Sequence, residues 1–517
     1  MATVVAAGPF VYDVLATGLT KGYLFQGGDQ AVIELAIRRA LQFQQLLGPY
    51  DRFGWHHPGP IYFYLLSIPY LLLGPGARPE IVGQVVLEGL AVVGIVVVVN
   101  RRAGAVAALS VAALVLLYCW TIQVPRLNYP WNPLVVVLPM ILVAVLAGVA
   151  MTGSTMCLLG AALVGTFTVQ TDVATAPLTA LLLVTAGATL IVQWKLNEDG
   201  PREYSRRTRA WAGLGVALLL ALWIAPIVQQ AAGPGPSNLS LIVQFFSSAH
   251  PHASLRSATY AVAAVDSLLP FGAATVLGQG IQSPAPIVIM VLVSLAGLVG
   301  IGLGWIRRRW LAVSFGVISM MGLVGSIVSV SRIVGGIMGY DVLWEVAFPM
   351  VGVFGLVVAL GGSWVKVRST GASVIYLLGQ RVRGVLSLVL AGATVTIAVA
   401  LALQVGEVGY PPAILDGSEV AQAWQLVSPY LPSPPSSVLV NMVSNAQYFV
   451  GAGLVDRLAS LGFTAVVPTN WSIQFGSAQV AHGSPQVTIE LRTPSASAPP
   501  HFTFVGDVGS DIALYVS

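Results

Sequence analysis

Long apolar runs alternate with short polar connectors along roughly the first 405 residues of the chain. A helix needs about 20 predominantly apolar residues to cross the hydrocarbon core of a bilayer. Runs of this kind predict ten transmembrane helices, at 80–99, 104–120, 134–151, 155–171, 173–193, 211–229, 284–305, 311–330, 342–362 and 384–405. The pattern therefore predicts an all-α, polytopic membrane domain over residues 1–405.

Two more apolar segments need a separate argument. Residues 2–19 predict an eleventh span, although Asp13 lies within it. No basic stretch precedes this segment, so a retained span is favoured over the alternative of a signal peptide. Residues 59–74 form a run of only about 15 apolar residues with Pro60 and Pro69, which favours a short interfacial or re-entrant helix.

Beyond residue 405 the apolar runs give way to shorter segments. After the Pro- and Ser-rich stretch YLPSPPSS, the pattern predicts strands and one helix, at Val438 to Val443 (strand), Phe449 to Leu461 (helix), Phe463 to Val467 (strand), and in the strand-like runs QVTIELR, HFTFVG and ALYVS. We therefore predict a small α/β domain over residues 406–517. It has no Gly-rich phosphate loop and no nucleophile elbow, and a role as a docking or lid domain accounts for it.

Composition and charge agree with a membrane protein. Of the 517 residues, 56% are hydrophobic and 9% are charged, and no soluble domain of this size has such a composition. The net charge of +4 does not indicate a nucleic-acid partner, because the basic residues cluster in the connectors between apolar runs. Cys119 and Cys157 both lie in apolar runs, which gives no support to a disulfide framework or a cysteine metal site.

The same connectors predict the orientation. Four of them, at 100–104, 195–210, 306–310 and 364–383, hold 14 of the 24 Lys and Arg residues and are predicted to lie in the cytoplasm. The loop from residue 21 to residue 79 and the C-terminal domain then lie on the outer face of the plasma (inner) membrane.

The first outer loop, residues 21–79, holds the densest polar chemistry. Asp29 follows two glycines, where a carboxylate also serves as a helix N-cap. Glu34 and Arg38 are spaced as an i,i+4 ion pair, opposite an apolar face, which predicts a helix in the membrane interface. Gly48 and Pro49 end this helix.

The segment after the helix, YDRFGWHHPGP, brings one cation and two histidines together. Adjacent histidines in an extended chain point to opposite sides, so His56 and His57 favour hydrogen bonding to a phosphate or sugar over a two-histidine metal site. Arg126 and Arg332 lie where helices emerge on the outer side, with interfacial snorkelling as the alternative.

The element HHPGPIYFYLL, preceded by an acidic residue and an interfacial helix and followed by a span ending in Arg-Arg, resembles the GT-C superfamily of membrane glycosyltransferases. The span count and an outer C-terminal domain resemble the arabinofuranosyl- and mannosyltransferases of actinobacterial cell walls. The resemblance implies transfer of a sugar from a polyprenyl-phosphate donor to a glycan or glycolipid acceptor, among membrane lipids.

In that superfamily an acidic residue of the first outer loop is the general base, and Asp29 stands at the matching position. Many members carry a second acid beside the first, whereas Gln30 follows here, so a divalent cation (Mg, Mn or Ca) is an expectation without an assigned ligand set. A departing phosphate needs cations at the headgroup level. The predicted phosphate-binding residues are Arg52, His56, His57, Arg126 and Arg332.

The acceptor is expected to contact polar residues at the outer ends of helices. The predicted acceptor-binding residues are Glu34, Gln170 and Asp172, although Asp172 also suits a helix cap. A transporter or flippase of a lipid-linked saccharide is the alternative function, but the chain shows no internal repeat. A non-catalytic scaffold is a further alternative.

Overall fold

The computed structural model describes residues 1–19, 22–122, 129–196, 206–232, 237–267, 285–361, 372–407, 417–494 and 498–517. Its helices before residue 408 are α1 Ala2–Gly18, α2 Gly28–Leu41, α3 Ile61–Leu73, α4 Ala77–Ala103, α5 Ala105–Ile122, α6 Asn132–Val135, α7 Val137–Ala150, α8 Thr155–Thr171, α9 Ala176–Leu196, α10 Arg206–Leu222, α11 Ile224–Ala232, α12 Asn238–Ser247, α13 Leu255–Asp266, α14 Ala285–Ile306, α15 Trp310–Val330, α16 Ala347–Leu360 and α17 Ala372–Glu407.

Each predicted span corresponds to one of these helices or to a consecutive pair. Within the described residues, nine helical segments are long and apolar enough to cross a membrane. They comprise α4, α5, α6 with α7, α9, α10 with α11, α14, α15, α16 with the 3-10 turn Leu343–Val346 before it, and α17. The prediction of an all-α multi-pass membrane domain is confirmed. The two other predicted spans correspond to α1 and α8, which are apolar helices of 17 residues each and are not among these nine.

Small residues bring the membrane helices close together. Gly322 of α15 faces Phe348 of α16, and a Cβ added at Gly322 would lie 2.0 Å from the phenyl ring. Van der Waals packing, rather than a hydrophobic driving force, holds helices together in lipid, so close approach at small residues stabilises the bundle. By contrast α3 has 13 residues and measures about 20 Å, less than the roughly 30 Å hydrocarbon core.

The C-terminal domain contains α18 Ser418–Val427, β1 Ser437–Met442, α19 Tyr448–Ser460, β2 Thr464–Val466, α20 Ser472–Phe475, β3 Val487–Arg492, β4 Thr503–Val508 and β5 Ile512–Val516. The five strands form one sheet in the order β2-β1-β3-β5-β4, parallel from β2 to β3 and antiparallel from β3 to β4. All five predicted strands and the predicted helix are present. The sequence prediction missed α18 and α20.

Helix α2 lies between the two domains. Ile33, Ile37 and Ala40 belong to the hydrophobic core of the membrane domain. Val32 and Leu35, on the opposite side of the helix, belong to the core of the C-terminal domain. The helix is therefore covered by protein on two sides, whereas the sequence predicted one apolar face against the membrane interface.

Basic connectors and the C-terminal domain lie at opposite ends of the membrane domain. Helix α4 begins beside α2, where Glu80 accepts a hydrogen bond from Gln26, and runs for 27 residues, about 40 Å, to Arg101 and Arg102. Helix α15 likewise begins after Arg309 and ends 21 residues later, about 32 Å away. The segment that follows α15 approaches the first loop.

Candidate active site between the two domains

A cavity of about 180 Å³ lies where α2, the first loop, the membrane helices and the C-terminal domain meet. Helix α2 contributes one face, and the end of α11 and the start of α6 contribute polar side chains. The C-terminal domain closes the cavity with α20 and the turn that follows it. Residues lining the cavity include Asp29, Arg39, Gln45, Tyr50, His56, Trp131, Asn132, Gln229, Gln474 and Ser477.

The carboxylate of Asp29 is held by two tyrosines from different domains. Tyr50 donates a hydrogen bond of 2.5 Å to Asp29 Oδ1, and Tyr448 of α19 donates one of 3.0 Å to the same oxygen. Burial beside Asp29 raises the pKa of both tyrosines, so both hydroxyls stay protonated donors. Among the described residues no hydrogen bond uses Oδ2, which is left as the acceptor for an incoming group.

Two glycines allow this approach of the domains. A Cβ added at Gly27 would lie 2.5 Å from the carbonyl oxygen of Phe449, and Gly28 has a φ of +55°, which other residues rarely adopt. Gly27 is the N-cap of α2, and Asp29 makes no capping hydrogen bond. The capping alternative for Asp29 is therefore wrong, because its side chain turns towards the two tyrosines.

A tight hairpin presents Tyr50 and His56 to the cavity. These two residues pair as an antiparallel bridge, and the Asp51 amide donates to the Trp55 carbonyl at 2.8 Å. The Asp51 carboxylate accepts from the amide of Phe53 at 2.9 Å and closes the turn. Arg52 lies exposed at the tip of this hairpin.

His56 and His57 point to opposite sides, and neither carries a positive charge at neutral pH. Burial lowers the pKa of His56 to about 4, and the neighbouring His57 and Arg39 act in the same direction. His57, which is 5% exposed, does not line the cavity. Burial also lowers its pKa to about 4, against an opposing effect of Asp51.

The hydrogen bonds of His57 define its tautomer. Its Nδ1 accepts the backbone N–H of Val173 at 3.0 Å, so the neutral ring carries its proton on Nε2. Nδ2 of Asn132 lies 2.9 Å from Nε2, and since both groups would then be donors, a hydrogen bond here requires the flipped orientation of the Asn132 amide, with its oxygen facing Nε2. Asp172 Oδ1 lies 3.9 Å from Nδ1, but a neutral ring forms no ion pair with it. His57 thus ties the first loop to two membrane helices.

Arg39, near the C-terminal end of α2, is the cation of the cavity. Its Nε donates to Gln45 Oε1 at 2.7 Å and its Nη1 donates to the carbonyl of Phe475 at 3.1 Å. Helix α2 ends at Leu41, earlier than the end at Gly48 and Pro49 that the sequence predicted. Burial lowers the pKa of Arg39 to about 10, so it stays charged at neutral pH, and none of the ion pairs among the described residues includes it.

Glu34 lies outside the cavity in a network that joins the domains. It is 0% exposed, forms the predicted ion pair with Arg38, and accepts from Tyr70 at 3.1 Å and from the Gly76 amide at 3.0 Å. Arg38 also pairs with Asp456 of α19 at 3.1 Å. Burial, with Glu34 nearby, raises the pKa of Asp456.

The remaining predicted residues lie near the cavity or apart from it. Gln170 is 0% exposed and donates to the Leu222 carbonyl at 2.8 Å. Asp172 caps the turn before α9 by accepting from the Ala174 amide at 3.0 Å, and burial raises its pKa to about 6. Neither residue lines the cavity.

The predicted cations Arg52, Arg126 and Arg332 differ in position. Arg52 donates to the hydroxyl of Tyr340 at 3.3 Å, and that ring packs edge-on against Trp131, 4.6 Å between centroids. Arg52 therefore stands at the rim. Arg332 is exposed and does not line the cavity, and Arg126 lies outside the described residues.

The donor set around Asp29 does not match a divalent cation site. Mg²⁺ and Ca²⁺ take six or more oxygen ligands, mostly from carboxylates, carbonyls and water. Asp29 is the single carboxylate among the described residues that line the cavity, and one of its oxygens already accepts two phenol hydroxyls. No group of three His, Cys, Asp or Glu residues comes together in the described part of the chain.

Sequence reasoning missed Tyr448 and Arg39. Tyr448 is separated from Asp29 by 419 positions, and no local signal connects them. Arg39 follows Arg38 in the sequence, and the sequence analysis considered only Arg38, because it lies four residues after Glu34 and predicts an ion pair with it. The spacing of Asp29, Val32, Ala36 and Arg39 along one helix face is the signal that points to Arg39.

The structure is similar to solved structures of other proteins. The crystal structure of ArnT from Cupriavidus metallidurans in the apo state superposes with a TM-score of 0.57 and 14% sequence identity, over 98% of this chain and 97% of that chain. The two chains therefore share a fold. The Archaeoglobus fulgidus oligosaccharyltransferase, in a complex with Zn and sulfate, gives a TM-score of 0.41 at 13% identity, over 95% of this chain and 68% of that chain.

No protein-family model matches the sequence, and no curated protein matches it.

Proposed function

We propose that this chain is a membrane glycosyltransferase of the GT-C type. It would transfer a sugar from a polyprenyl-phosphate donor to a glycan or glycolipid acceptor on the outer face of the plasma membrane. The observation that carries the proposal is the Asp29 carboxylate, fixed by Tyr50 and Tyr448 at the edge of an interdomain cavity. The fold shared with ArnT supports it.

The proposed chemistry needs a base and a stabilised leaving group. An acceptor hydroxyl donates its hydrogen bond to Asp29 Oδ2. As the hydroxyl oxygen bonds to the sugar carbon, the carboxylate takes the proton, and the bond from that carbon to the phosphate oxygen breaks. The two tyrosine hydroxyls hold Oδ1, so the carboxylate keeps one orientation throughout.

The lipid phosphate leaves with additional negative charge. Arg52 stands at the rim, and Arg126 and Arg332 are the further cations expected at the headgroup level. His56, which lines the cavity, acts as a neutral hydrogen-bonding group in this proposal, because burial lowers its pKa to about 4. His57 does not line the cavity and instead holds the first loop in place. No step depends on a metal ion.

The proposed location of the cavity on the outer side of the membrane depends on the distribution of basic residues. The basic connectors at Arg101–Arg102 and Arg307–Arg309 lie at the end of the membrane domain away from the cavity. If those connectors are cytoplasmic, the cavity faces outward, where it meets lipid-linked sugars that have already crossed the membrane.

The test is transfer by the purified protein. Radiolabelled polyprenyl-phosphate arabinose and mannose are supplied with a panel of oligosaccharide acceptors. We expect transfer with one donor, and a loss of at least about a hundredfold in Asp29→Asn, since general base catalysis contributes roughly 10²–10⁴-fold. Asp507→Asn, an exposed change in the C-terminal domain, is the matched control and keeps wild-type activity.

Transfer at the wild-type rate in a folded Asp29→Asn protein would contradict the assignment of the base. Movement of the intact lipid-linked saccharide across vesicles, with no transfer, would favour the flippase instead.

A further inference from the structure

The two charges of the cavity stand at its opposite ends. Among the described lining residues, Asp29 is the carboxylate and Arg39 is the arginine, and they lie ten positions apart on α2. At 1.5 Å per residue their backbone positions are about 15 Å apart along the helix axis. Hydrogen bonds to Gln45 and to the Phe475 carbonyl hold the guanidinium at the far end.

The C-terminal domain contributes polar groups beside Arg39. A Cβ added at Gly476 would lie 3.9 Å from Cζ and from Nη2 of Arg39, so the turn after α20 runs directly against the guanidinium. Gln474 precedes this turn and Ser477 follows it, and both line the cavity. Among the described residues, Gln474 Oε1 is buried and has no hydrogen-bond partner. An acceptor oxygen does not bond an anion, but a half-turn of the Gln474 amide brings Nε2, a donor, to this position, where a bound anion would accept its hydrogen bond.

An unpaired guanidinium at a cavity wall is a site for an anionic oxygen group. Arginine presents several N–H donors in a planar fork that matches phosphate and carboxylate, and the Ser477 hydroxyl and the Gln474 amide add further donors. Nη2 takes part in no hydrogen bond among the described residues. Burial without a carboxylate partner is unfavourable for Arg39, and a bound anion would offset that cost.

We propose that Arg39, Gln474 and Ser477 form an anion-binding subsite for a phosphate or carboxylate group carried by the acceptor saccharide. The assignment to the acceptor rests on the proposed function. In that reaction the donor phosphate is bonded to the carbon under attack, so it lies next to the hydroxyl held by Asp29. Arg39 is separated from Asp29 by nearly three helical turns, which suits an anionic group one or more sugar rings away.

The binding test does not require turnover. The full-length protein in detergent is titrated with inorganic phosphate at constant ionic strength, and its melting temperature is recorded. We expect a saturable rise for the wild type, and the same rise for Asp29→Asn. This comparison separates the subsite from the proposed base, because a protein without transfer activity still reports phosphate binding.

Two variants locate the site. Arg39→Gln removes the charge, and Ser477→Asp adds a negative charge at an exposed position that tolerates substitution. Each is expected to weaken phosphate binding at least tenfold. Ser484→Asp, an exposed change in the same domain, is the matched control and leaves binding unchanged. No saturable binding by the wild type, or wild-type binding by Ser477→Asp, overturns the subsite.

Three further probes identify the source of the anion. Hexose 6-phosphate and a hexuronic acid represent the acceptor, and a short-chain polyprenyl phosphate represents the donor. We expect Ser477→Asp to weaken binding of the first two at least tenfold and to leave the third within twofold. Weakening of the polyprenyl phosphate alone overturns the assignment to the acceptor.

Discussion

The hydroxyl of Tyr448 lies 3.0 Å from Oδ1 of Asp29, across the junction between the C-terminal domain and the membrane domain. The Tyr448 ring stacks on Trp471, 5.5 Å between centroids, so its position is fixed within the C-terminal domain. The C-terminal domain therefore forms part of the site, which is more than the docking or lid role that its sequence indicated.

Removing this hydroxyl is predicted to lower turnover. A hydrogen bond to a charged group contributes roughly 1.5–3 kcal/mol, so Tyr448→Phe is expected to lower kcat by about tenfold or more. KM for the acceptor stays within about twofold, because the change acts on the orientation of the carboxylate. Steady-state kinetics separate the two parameters.

Tyr50→Phe removes the other hydroxyl and is expected to behave alike. Tyr430→Phe, at an exposed tyrosine of the C-terminal domain, is the control for both variants. If Tyr448→Phe keeps the wild-type kcat, the tyrosine does not position Asp29.

Glu34 is predicted to stabilise the domain junction. Glu34→Ala leaves Asp456 as the carboxylate partner of Arg38. It also removes the acceptor of the hydrogen bonds that the Tyr70 hydroxyl and the Gly76 amide donate. Breaking a buried ion pair typically costs about 3–5 kcal/mol. We therefore expect a clearly lower melting temperature, with Glu419→Ala as the exposed control.

A role of Glu34 in acceptor binding predicts the reverse result. In that case Glu34→Ala melts as the wild type does and raises KM for the acceptor. Measuring the melting temperature and KM on one preparation distinguishes the two roles.

His57 is predicted to make stability depend on pH. Its pKa is about 4 in the folded protein, and a histidine in an unfolded chain titrates near 6.5. Between these values the unfolded chain binds more protons, so stability is complete above about pH 6.5 and falls as the pH drops towards 4. The difference corresponds to roughly 3 kcal/mol.

His57→Gln keeps a hydrogen-bonding side chain and removes the titration. Melting temperatures recorded from pH 7.5 to pH 4.5 are expected to fall less steeply in this variant than in the wild type. The exposed His482→Gln is the control. Parallel slopes in His57→Gln and the wild type would show that His57 is not held neutral by the fold.

Much of the architecture was predictable because it depends on local patterns. Apolar length alone predicts the membrane helices, and alternation predicts β1, β3 and the other strands. Helices α1 and α8 have 17 residues each, slightly fewer than the roughly 20 that a transmembrane helix needs, so length alone does not decide whether they cross the membrane. These features follow from short stretches of sequence.

The site was predictable only in part. Asp29 and His56 do line a cavity, and the opposite directions of His56 and His57 follow from an extended chain. The charge state of His57 depends on burial against Asn132 and Val173, which the sequence does not reveal. The contact of Tyr448 with Asp29 joins residues from the two ends of the chain, and a single sequence contains no signal for it.

Labelling at the two ends of the membrane domain tests the orientation on which the reaction depends. Arg308, in the basic connector between α14 and α15, and Ser484, in the C-terminal domain, are both exposed. In a Cys157→Ser background, with Cys119 buried, we expect a membrane-impermeant maleimide to modify Ser484→Cys in intact cells. Arg308→Cys is expected to react only after permeabilisation, because clustered arginines remain in the cytoplasm. The reverse pattern would place Asp29 on the cytoplasmic side, where a transfer reaction on the outer face is impossible.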